Sequence, residues 1–342
     1  MIFKPSIFAM AFAALLSFSA QNLYAWDYEG HHAINELAID SLPSDFGIEL
    51  SPALKERIAY LAGEPDRWRN SSDRPFEQDN AIDHYIDLED LKLYDLTPQT
   101  LPPLRYDFVA AILKARAAHP ERFVAVGSGK NAYEFAGFLP WAIAENYEKL
   151  KSDFTTLKVL RNHGGTPVEI ANAEADCAYV MGVMGHYVGD GSQPLHTSKY
   201  FNGWDRNDNP KHYTTRTTFH AWIDGGYFKK IGGIKVDELS GRIQPASHIP
   251  DANHANAFFQ YVVNYLVEQN KYVESLYEMD RNGQLTGIGD RGMEGKEFLD
   301  GQLVKAGQML GNLWLTAWQD SSEDDTYLER QLQQRNAATP AY

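Results

Sequence analysis

Apolar residues recur at the period of an α-helix along most of this chain, and no other feature of the sequence restricts its fold so strongly. The pattern predicts helices over residues 31–42, 52–62, 105–118, 131–152, 168–188, 215–229, 254–279 and 294–318. Alternating β-branched runs, which would indicate strands, are few. No internal repeat or low-complexity linker divides the chain. The sequence therefore predicts an all-α fold in a single multi-helix domain.

The first 25 residues differ from the rest. They contain one charged side chain, Lys4, then an apolar run from Ile7 to Phe18, and they end at Ala25. This order is typical of a cleaved secretory signal peptide. The alternative, a membrane anchor, is disfavoured because the apolar run is too short to span a bilayer. We expect residues 1–25 to be removed and the mature protein, secreted or periplasmic, to begin at Trp26.

The remaining chain divides into two unequal parts. Residues 26–320 contain the helical pattern and are predicted to form the functional domain. Residues 321–342 are polar and are expected to fray as a C-terminal tail.

Charge and cysteine content restrict the possible functions. The formal net charge of −15 disfavours nonspecific binding to nucleic acid or to anionic membranes. An anionic substrate would need a local positive centre, which bound metal ions can supply. Cys177 is the only cysteine, so the chain has no internal disulfide. Core packing or bound metal must therefore hold an exported form together.

Histidines and aspartates recur at spacings that suit a metal site. His186 and Asp190 are four residues apart at the end of a predicted helix, which places both on one helix face. The chain then breaks at Gly191 and Pro194 and presents His196. Imidazole and carboxylate groups that converge in this way are typical zinc ligands.

Similar residues occur elsewhere in the chain. His220 and Asp224 repeat the four-residue step, Asp66 and His84 lie upstream, and Trp26 precedes His31 by five residues. Each pair alone is more often a surface hydrogen bond or a buried structural histidine than a ligand set. Their number and order carry the prediction. Two further histidines, His32 and His212, are interpreted as structural or exposed.

In this order the residues resemble the S1/P1 nuclease and zinc-dependent phospholipase C family. The resemblance runs from Trp26 to Asp224 at the level of motifs and implies an all-α domain of the phospholipase C/P1 nuclease type with three zinc ions. It implies that Asp66, His84, His186 and Asp190 bind the first zinc ion and His196, His220 and Asp224 the second. The third would be bound by His31, a second oxygen of Asp190, and the free amine and carbonyl of Trp26.

The resemblance also implies roles in catalysis and substrate binding. Asp66 would orient or deprotonate water, and Arg69 would contact the phosphate. The alternative for Arg69 is a surface arginine near Asp73. Tyr85 and Asp87 match the residues that stack on and hydrogen-bond a base, although core packing and a helix cap would explain them equally well.

Three functions remain open at this stage. The main prediction is a nuclease that cleaves single-stranded DNA or RNA to 5′-phosphate products, with nucleic acid or nucleotides as substrate and no obligate protein partner. One alternative is a phospholipase C acting on phospholipid headgroups. Another is a zinc-binding protein without catalysis. The Gly-Gly-Asn element that nucleases carry after their third-last histidine is absent, and residues 202–209 form a different loop.

Overall fold

The computed structural model describes residues 26–123 and 135–338, and the predicted signal segment 1–25 lies outside them. This part of the chain is helical and contains no strand, as the periodicity predicts. The helices are α1 (Tyr28–Ser41), α2 (Pro52–Leu61), α3 (Glu64–Arg69), α4 (Arg74–Ala81), α5 (Arg105–Ala118), α6 (Leu139–Asn162), α7 (Pro167–Ser192), α8 (Phe219–Ala221), α9 (Tyr227–Ile231), α10 (Val236–Ser240), α11 (Ala255–Asn270), α12 (Val273–Arg281), α13 (Gly289–Met293), α14 (Gly295–Asp320) and α15 (Thr326–Ala338).

Tighter and wider turns join several of these helices. The tighter 3₁₀ turns span Ile82–His84, Leu88–Tyr94, Pro98–Thr100, Pro120–Arg122 and Pro194–Thr197. One π-helical turn, Trp222–Gly226, joins α8 to α9. Within the described part of the chain, no helix combines the length and apolar character needed to cross a membrane.

Helix α7 lies at the centre of the fold and contacts α1, α2, α6 and α14. A capping box starts it, in which Thr166 Oγ1 accepts from Glu169 N and Thr166 N donates to Glu169 Oε2. Its second half, from Met181 to Ser192, is buried without interruption. A helix buried on all sides can present polar side chains only to other buried groups. His186 and Asp190 therefore need polar or charged partners within the protein interior.

Helix boundaries differ from the prediction, and three predicted runs differ most. The run predicted at 131–152 is α6, which begins at Leu139 because Pro140 suits a first helical turn; residues 131–134 lie outside the described part. The run at 254–279 is two helices, α11 and α12, separated at Lys271 and Tyr272. The run at 215–229 begins only at Phe219 and contains the π-helical turn.

The C-terminal segment is more ordered than its polar composition suggested. Instead of fraying, residues 326–338 form helix α15. Asp325 begins it by accepting from the backbone N–H groups of Tyr327 and Leu328. Leu332 is buried, and Arg335 pairs with Glu169 at the start of α7. The polar pattern concealed a helix that is held by its cap, by the burial of Leu332 and by an ion pair with α7.

Candidate metal centre

The predicted ligands come from separate parts of the chain and meet in the interior. Helix α1 carries His31, α3 carries Asp66, and α7 carries both His186 and Asp190. His84 is the last residue of the 3₁₀ turn Ile82–His84, and His196 lies in the 3₁₀ turn Pro194–Thr197. The last pair, His220 and Asp224, lies on α8 and the π-helical turn. All of these side chains are buried, and Trp26 has no exposed surface.

Their donor atoms form three groups, and within each group the atoms lie within 4.8 Å of one another. The groups are His31, His186 and Asp190; Asp66, His84 and His186; and His196, His220 and Asp224. These groups overlap the ligand sets that the resemblance implies. They differ in that His186 joins two groups, the group of Asp66 and His84 does not include Asp190, and Trp26 is not among the grouped side chains. Asp190 lies between the His84 group and the His31 group. Its Oδ2 is 3.0 Å from His84 Nδ1, and its Oδ1 is 3.4 Å from His31 Nε2.

Backbone carbonyl groups fix the orientation of two imidazoles. His186 donates from Nδ1 to Ala62 O at 2.8 Å, and His196 donates from Nδ1 to His84 O at 2.6 Å. Each ring therefore turns its Nε2 lone pair inwards. Those atoms meet other imidazoles: His196 Nε2 lies 2.9 Å from His220 Nε2, and His186 Nε2 lies 2.9 Å from His84 Nδ1. Converging lone pairs on neutral rings are the arrangement that a metal ion requires.

Several buried atoms in this centre make no hydrogen bond. They include both ring nitrogens of His31, Asp190 Oδ1 and Asp224 Oδ2. His31 and Asp190 face each other, yet neither satisfies the other. A buried carboxylate oxygen without a donor is costly, and metal coordination removes that cost. The donor set, imidazole nitrogens with carboxylate oxygens, fits zinc.

Burial shifts the pKa values of these groups towards their neutral forms. It lowers the pKa of His196 and of His220 to about 3, and it lowers the pKa of His31, His84 and His186 well below 6.5. Burial also raises the pKa of Asp190 and Asp224 well above 3.8. The imidazoles are therefore ready to bind metal at neutral pH. Bound metal would supply positive charge that favours the ionised form of the two carboxylates.

These shifts predict how the stability of the metal-free protein depends on pH. Below pH 6.5 the unfolded chain protonates five histidines that the folded protein keeps neutral, which favours unfolding as the pH falls towards 3. The two raised aspartates act in the opposite sense, because above pH 3.8 the folded protein retains protons that the unfolded chain has lost. Four other aspartates with raised pKa values, Asp83, Asp153, Asp280 and Asp300, oppose the histidines less because their shifts are smaller. The five histidines therefore dominate, and acid should destabilise the protein.

The measurement is the urea midpoint of chelator-treated protein at pH 7 and at pH 5. We expect the lower midpoint at pH 5. An unchanged or higher midpoint at pH 5 would show that the histidines are not kept neutral by the fold.

Sequence reasoning missed two residues that hold the ligands in place. Gln193 is fully buried, donates from Nε2 to Asp224 Oδ1 at 2.6 Å, and accepts from Leu195 N. Ser192 Oγ accepts from the Trp26 indole at 2.9 Å. Both lie between Asp190 and His196 in the sequence. Their spacing gives no signal, because their partners come from distant parts of the chain.

A cavity of about 190 Å³ opens beside two of the ligand groups. Its wall includes ligands and the predicted substrate-binding residues: Arg69, Ala81, His84, Tyr85, Asp87, Leu195, His196, Ser198, Phe201 and His220. Arg69 Nε lies 2.8 Å from Asp66 Oδ1, so the guanidinium is held at the edge of the metal centre. The structure thus brings Arg69, Tyr85 and Asp87 to one cavity with three of the ligands.

The π-helical turn gives Asp224 its position. A π-helical turn contains one more residue than an α-helical turn and often occurs at functional sites. Here His220 Nε2 lies 2.9 Å from Asp224 Oδ2, so the two ligands face one centre despite the wider turn. The sequence pattern of four-residue spacing predicted their proximity but not the form of the helix.

Comparisons with known proteins find distant similarity only. The sequence matches no protein-family model and no curated protein. Among solved structures, the chain is similar to the alpha-toxin of Clostridium perfringens from an avian strain, with 12% identity, a TM-score of 0.42, and coverage of 89% of this chain and 67% of the toxin. It is also similar to the alpha-toxin of Clostridium absonum, with 13% identity, a TM-score of 0.42, and coverage of 88% and 68%. Similarity at this level does not identify what this chain binds.

Proposed function

We propose that this protein is a zinc-dependent phosphodiesterase. The observation that carries the proposal is the meeting of three His/Asp donor groups beside a cavity that also contains Arg69. Neither element alone would suffice, since a metal centre without an anion-binding group is equally suited to a structural role. Three zinc ions with this ligand set would leave a positive centre inside an acidic protein. Such a centre attracts a phosphate diester.

Arg69 and Asp66 have distinct tasks in this proposal. The planar guanidinium of Arg69 suits two phosphate oxygens, and its contact with Asp66 keeps it aimed at the centre. Asp66 is positioned to orient a water molecule and to accept its proton. Zinc, when bound, supplies a water of lowered pKa and neutralises charge on the phosphate. The buried side chains on the inner wall of the cavity, among them His84 and Leu195, lower the local dielectric constant and strengthen each electrostatic contact.

Single-stranded nucleic acid is the first substrate class that we propose, with cleavage to 5′-phosphate products. Its support is the placement of Tyr85 and Asp87 on the wall of the cavity. A flexible strand can turn one base towards an aromatic ring while its phosphate reaches the metal centre. The edge of the same base can meet a carboxylate.

Phospholipid is the second candidate, and the cavity supports it no less. Ala81, Leu195 and Phe201 add apolar surface to the ring of Tyr85. An apolar wall suits the part of a lipid that adjoins its phosphate. The loop after His196 also lacks the Gly-Gly-Asn element of the nucleases, which removes one support for base recognition.

A substrate panel tests both classes with zinc-loaded mature protein. The panel contains single-stranded DNA, RNA, phosphatidylcholine vesicles and bis(p-nitrophenyl) phosphate, each with and without chelator. For a nuclease we expect 5′-phosphate products from the two nucleic acids. Lipid hydrolysis without nucleic-acid cleavage would assign the protein to the phospholipases. No hydrolysis of any diester would leave the non-catalytic zinc-binding alternative.

A matched pair of variants tests the role of Tyr85. If the ring stacks on a base, Tyr85→Ala should raise KM for single-stranded DNA by about tenfold, since stacking contributes ~1–3 kcal/mol per base. Its rate on bis(p-nitrophenyl) phosphate should change little. Tyr106→Ala is the control, because that tyrosine is 87% exposed and lies on α5. An equal loss on both substrates would contradict base stacking.

A further inference from the structure

The 3₁₀ turn Ile82–His84, which Tyr85 follows, is contacted on its outer side by the long segment that comes next in the chain. We propose that Arg105, on α5, is a positioning residue that holds this turn and thereby sets the affinity of one metal site. The inference rests on the proposed function, because it presumes that His84 binds zinc. It assigns a task to the segment between His84 and His186, for which the resemblance gives none.

Arg105 links the turn to helix α6 through a network of charged side chains. Its Nη1 donates to Asp83 Oδ1 at 2.6 Å, and Asp83 directly precedes His84. Its Nε and Nη2 donate to the two carboxylate oxygens of Glu145 on α6, at 2.9 and 3.0 Å. The second contact is a fork-to-fork pair, which only arginine can form. One guanidinium thus fixes the turn relative to a 24-residue helix.

Two backbone hydrogen bonds near the Arg105 side chain also join this turn to the start of α6. Phe138 N donates to Ile82 O at 2.8 Å, and Leu139 N donates to Tyr85 O at 3.1 Å. The Arg105 guanidinium lies over the Phe138 ring, 5.1 Å from its centroid. The cation therefore packs against the segment that makes these two bonds, as well as against the acids that it pairs with.

Gly137 shows how closely this segment approaches the turn. Its φ of +90° favours glycine, and a Cβ at this position would lie 2.0 Å from Tyr85 O. There is no room for the turn to move towards α6. Movement away from α6 is resisted by the charged contacts of Arg105.

Loss of Arg105 would leave the Asp83 side chain, which is 18% exposed, without its cationic partner. A largely buried carboxylate without a partner moves towards water, and His84 is the next residue in the chain. Contacts made directly to metal ligands are worth about 10–100-fold in metal affinity, and a contact to the residue beside a ligand should lie at the lower end of that range. The His196, His220 and Asp224 group is held by Gln193 and meets the turn through the bond from His196 Nδ1 to His84 O, so its affinity should fall less than that of the His84 site.

The test measures zinc affinity by competition with a chromophoric chelator, using the full mature chain. For Arg105→Gln we expect one zinc ion to bind about tenfold more weakly while the others are weakened less. Arg105→Lys keeps one ion pair but not the fork, so an intermediate affinity is expected. Arg122→Gln is the control, because Arg122 forms an exposed ion pair with Asp95 in the same region, at 2.7 Å.

Each outcome decides the matter. Wild-type affinity at every site in Arg105→Gln overturns the proposal, even if its melting temperature falls, since a merely structural arginine would behave in that way. If Arg105→Gln does not fold, Arg105→Lys decides: weakened binding at one site supports the proposal and wild-type binding overturns it. A wild-type protein that binds no zinc would instead refute the proposed function itself.

Discussion

Replacing Asp190 by asparagine is expected to remove more than one zinc ion and to lower phosphodiester hydrolysis by at least about 1,000-fold, equivalent to ~4 kcal/mol of transition-state stabilisation. Asp190 stands between two groups of ligands: one oxygen faces His31, and the other faces His84 and His186. The asparagine side chain has one oxygen, which is a weak metal ligand, and an NH₂ group, which cannot bind metal. Both neighbouring sites should therefore be weakened together.

Elemental analysis of the purified variant checks this expectation against wild-type protein, for which we predict three zinc ions. Asp300→Asn is the matched control, because Asp300 is also a buried aspartate but pairs with Lys296 on α14, at 2.5 Å. The control should keep all of its zinc. If Asp190→Asn retained normal zinc content, the carboxylate would not be a ligand and the bridging assignment would have to be abandoned.

A single extra residue before Trp26 is expected to cost about one zinc ion and most of the activity. Only a free terminal amine can lose a proton and bind zinc, whereas an amide nitrogen inside the chain is a poor ligand. The structure places this point of the chain in the interior. Trp26 is fully buried and its indole donates to Ser192 Oγ, which lies two residues after Asp190. Asp27 N donates to Asp224 O at 3.1 Å.

The comparison is between protein that is exported and cleaved before Trp26 and cytoplasmic protein that begins with methionine followed by Trp26. Both are zinc-loaded, and both zinc content and hydrolysis of a simple diester are measured. Ser192→Ala in the cleaved protein is a second probe, since it loosens the Trp26 side chain without altering the amine. Equal zinc content and equal rates in the two forms would refute the terminal-ligand assignment.

Sequence spacing predicted which candidate side chains lie together better than it predicted the helices around them. Residues four apart on a helix share a face whatever the rest of the chain does, so His186 with Asp190 and His220 with Asp224 could be paired in advance. Helix ends depend on local competition. The π-helical turn at Trp222 and the break at Lys271 have no signature in apolar periodicity, and α15 depends on the cap at Asp325.

The outer contacts of the site were not predictable for a different reason. Gln193 and Arg105 act on residues whose positions relative to them are set by the packing of whole helices. A single sequence holds no record of such proximity when neither partner belongs to a recognised motif. The proposed role of the segment after Tyr85 depends on the contact of α5 and α6 with the turn Ile82–His84 through Arg105.

The distances in sequence between contacting residues of the centre have a consequence for the order of folding. The bond from Trp26 to Ser192 joins residues 166 positions apart, and the contact from His84 to Asp190 joins residues 106 apart. Closing such loops is slow and has an entropic cost that local helix formation does not. The two groups that contain His31 or His84 would therefore bind zinc only after the helices have assembled. The His196, His220 and Asp224 group comes from one short stretch of chain and would not have to wait for that assembly.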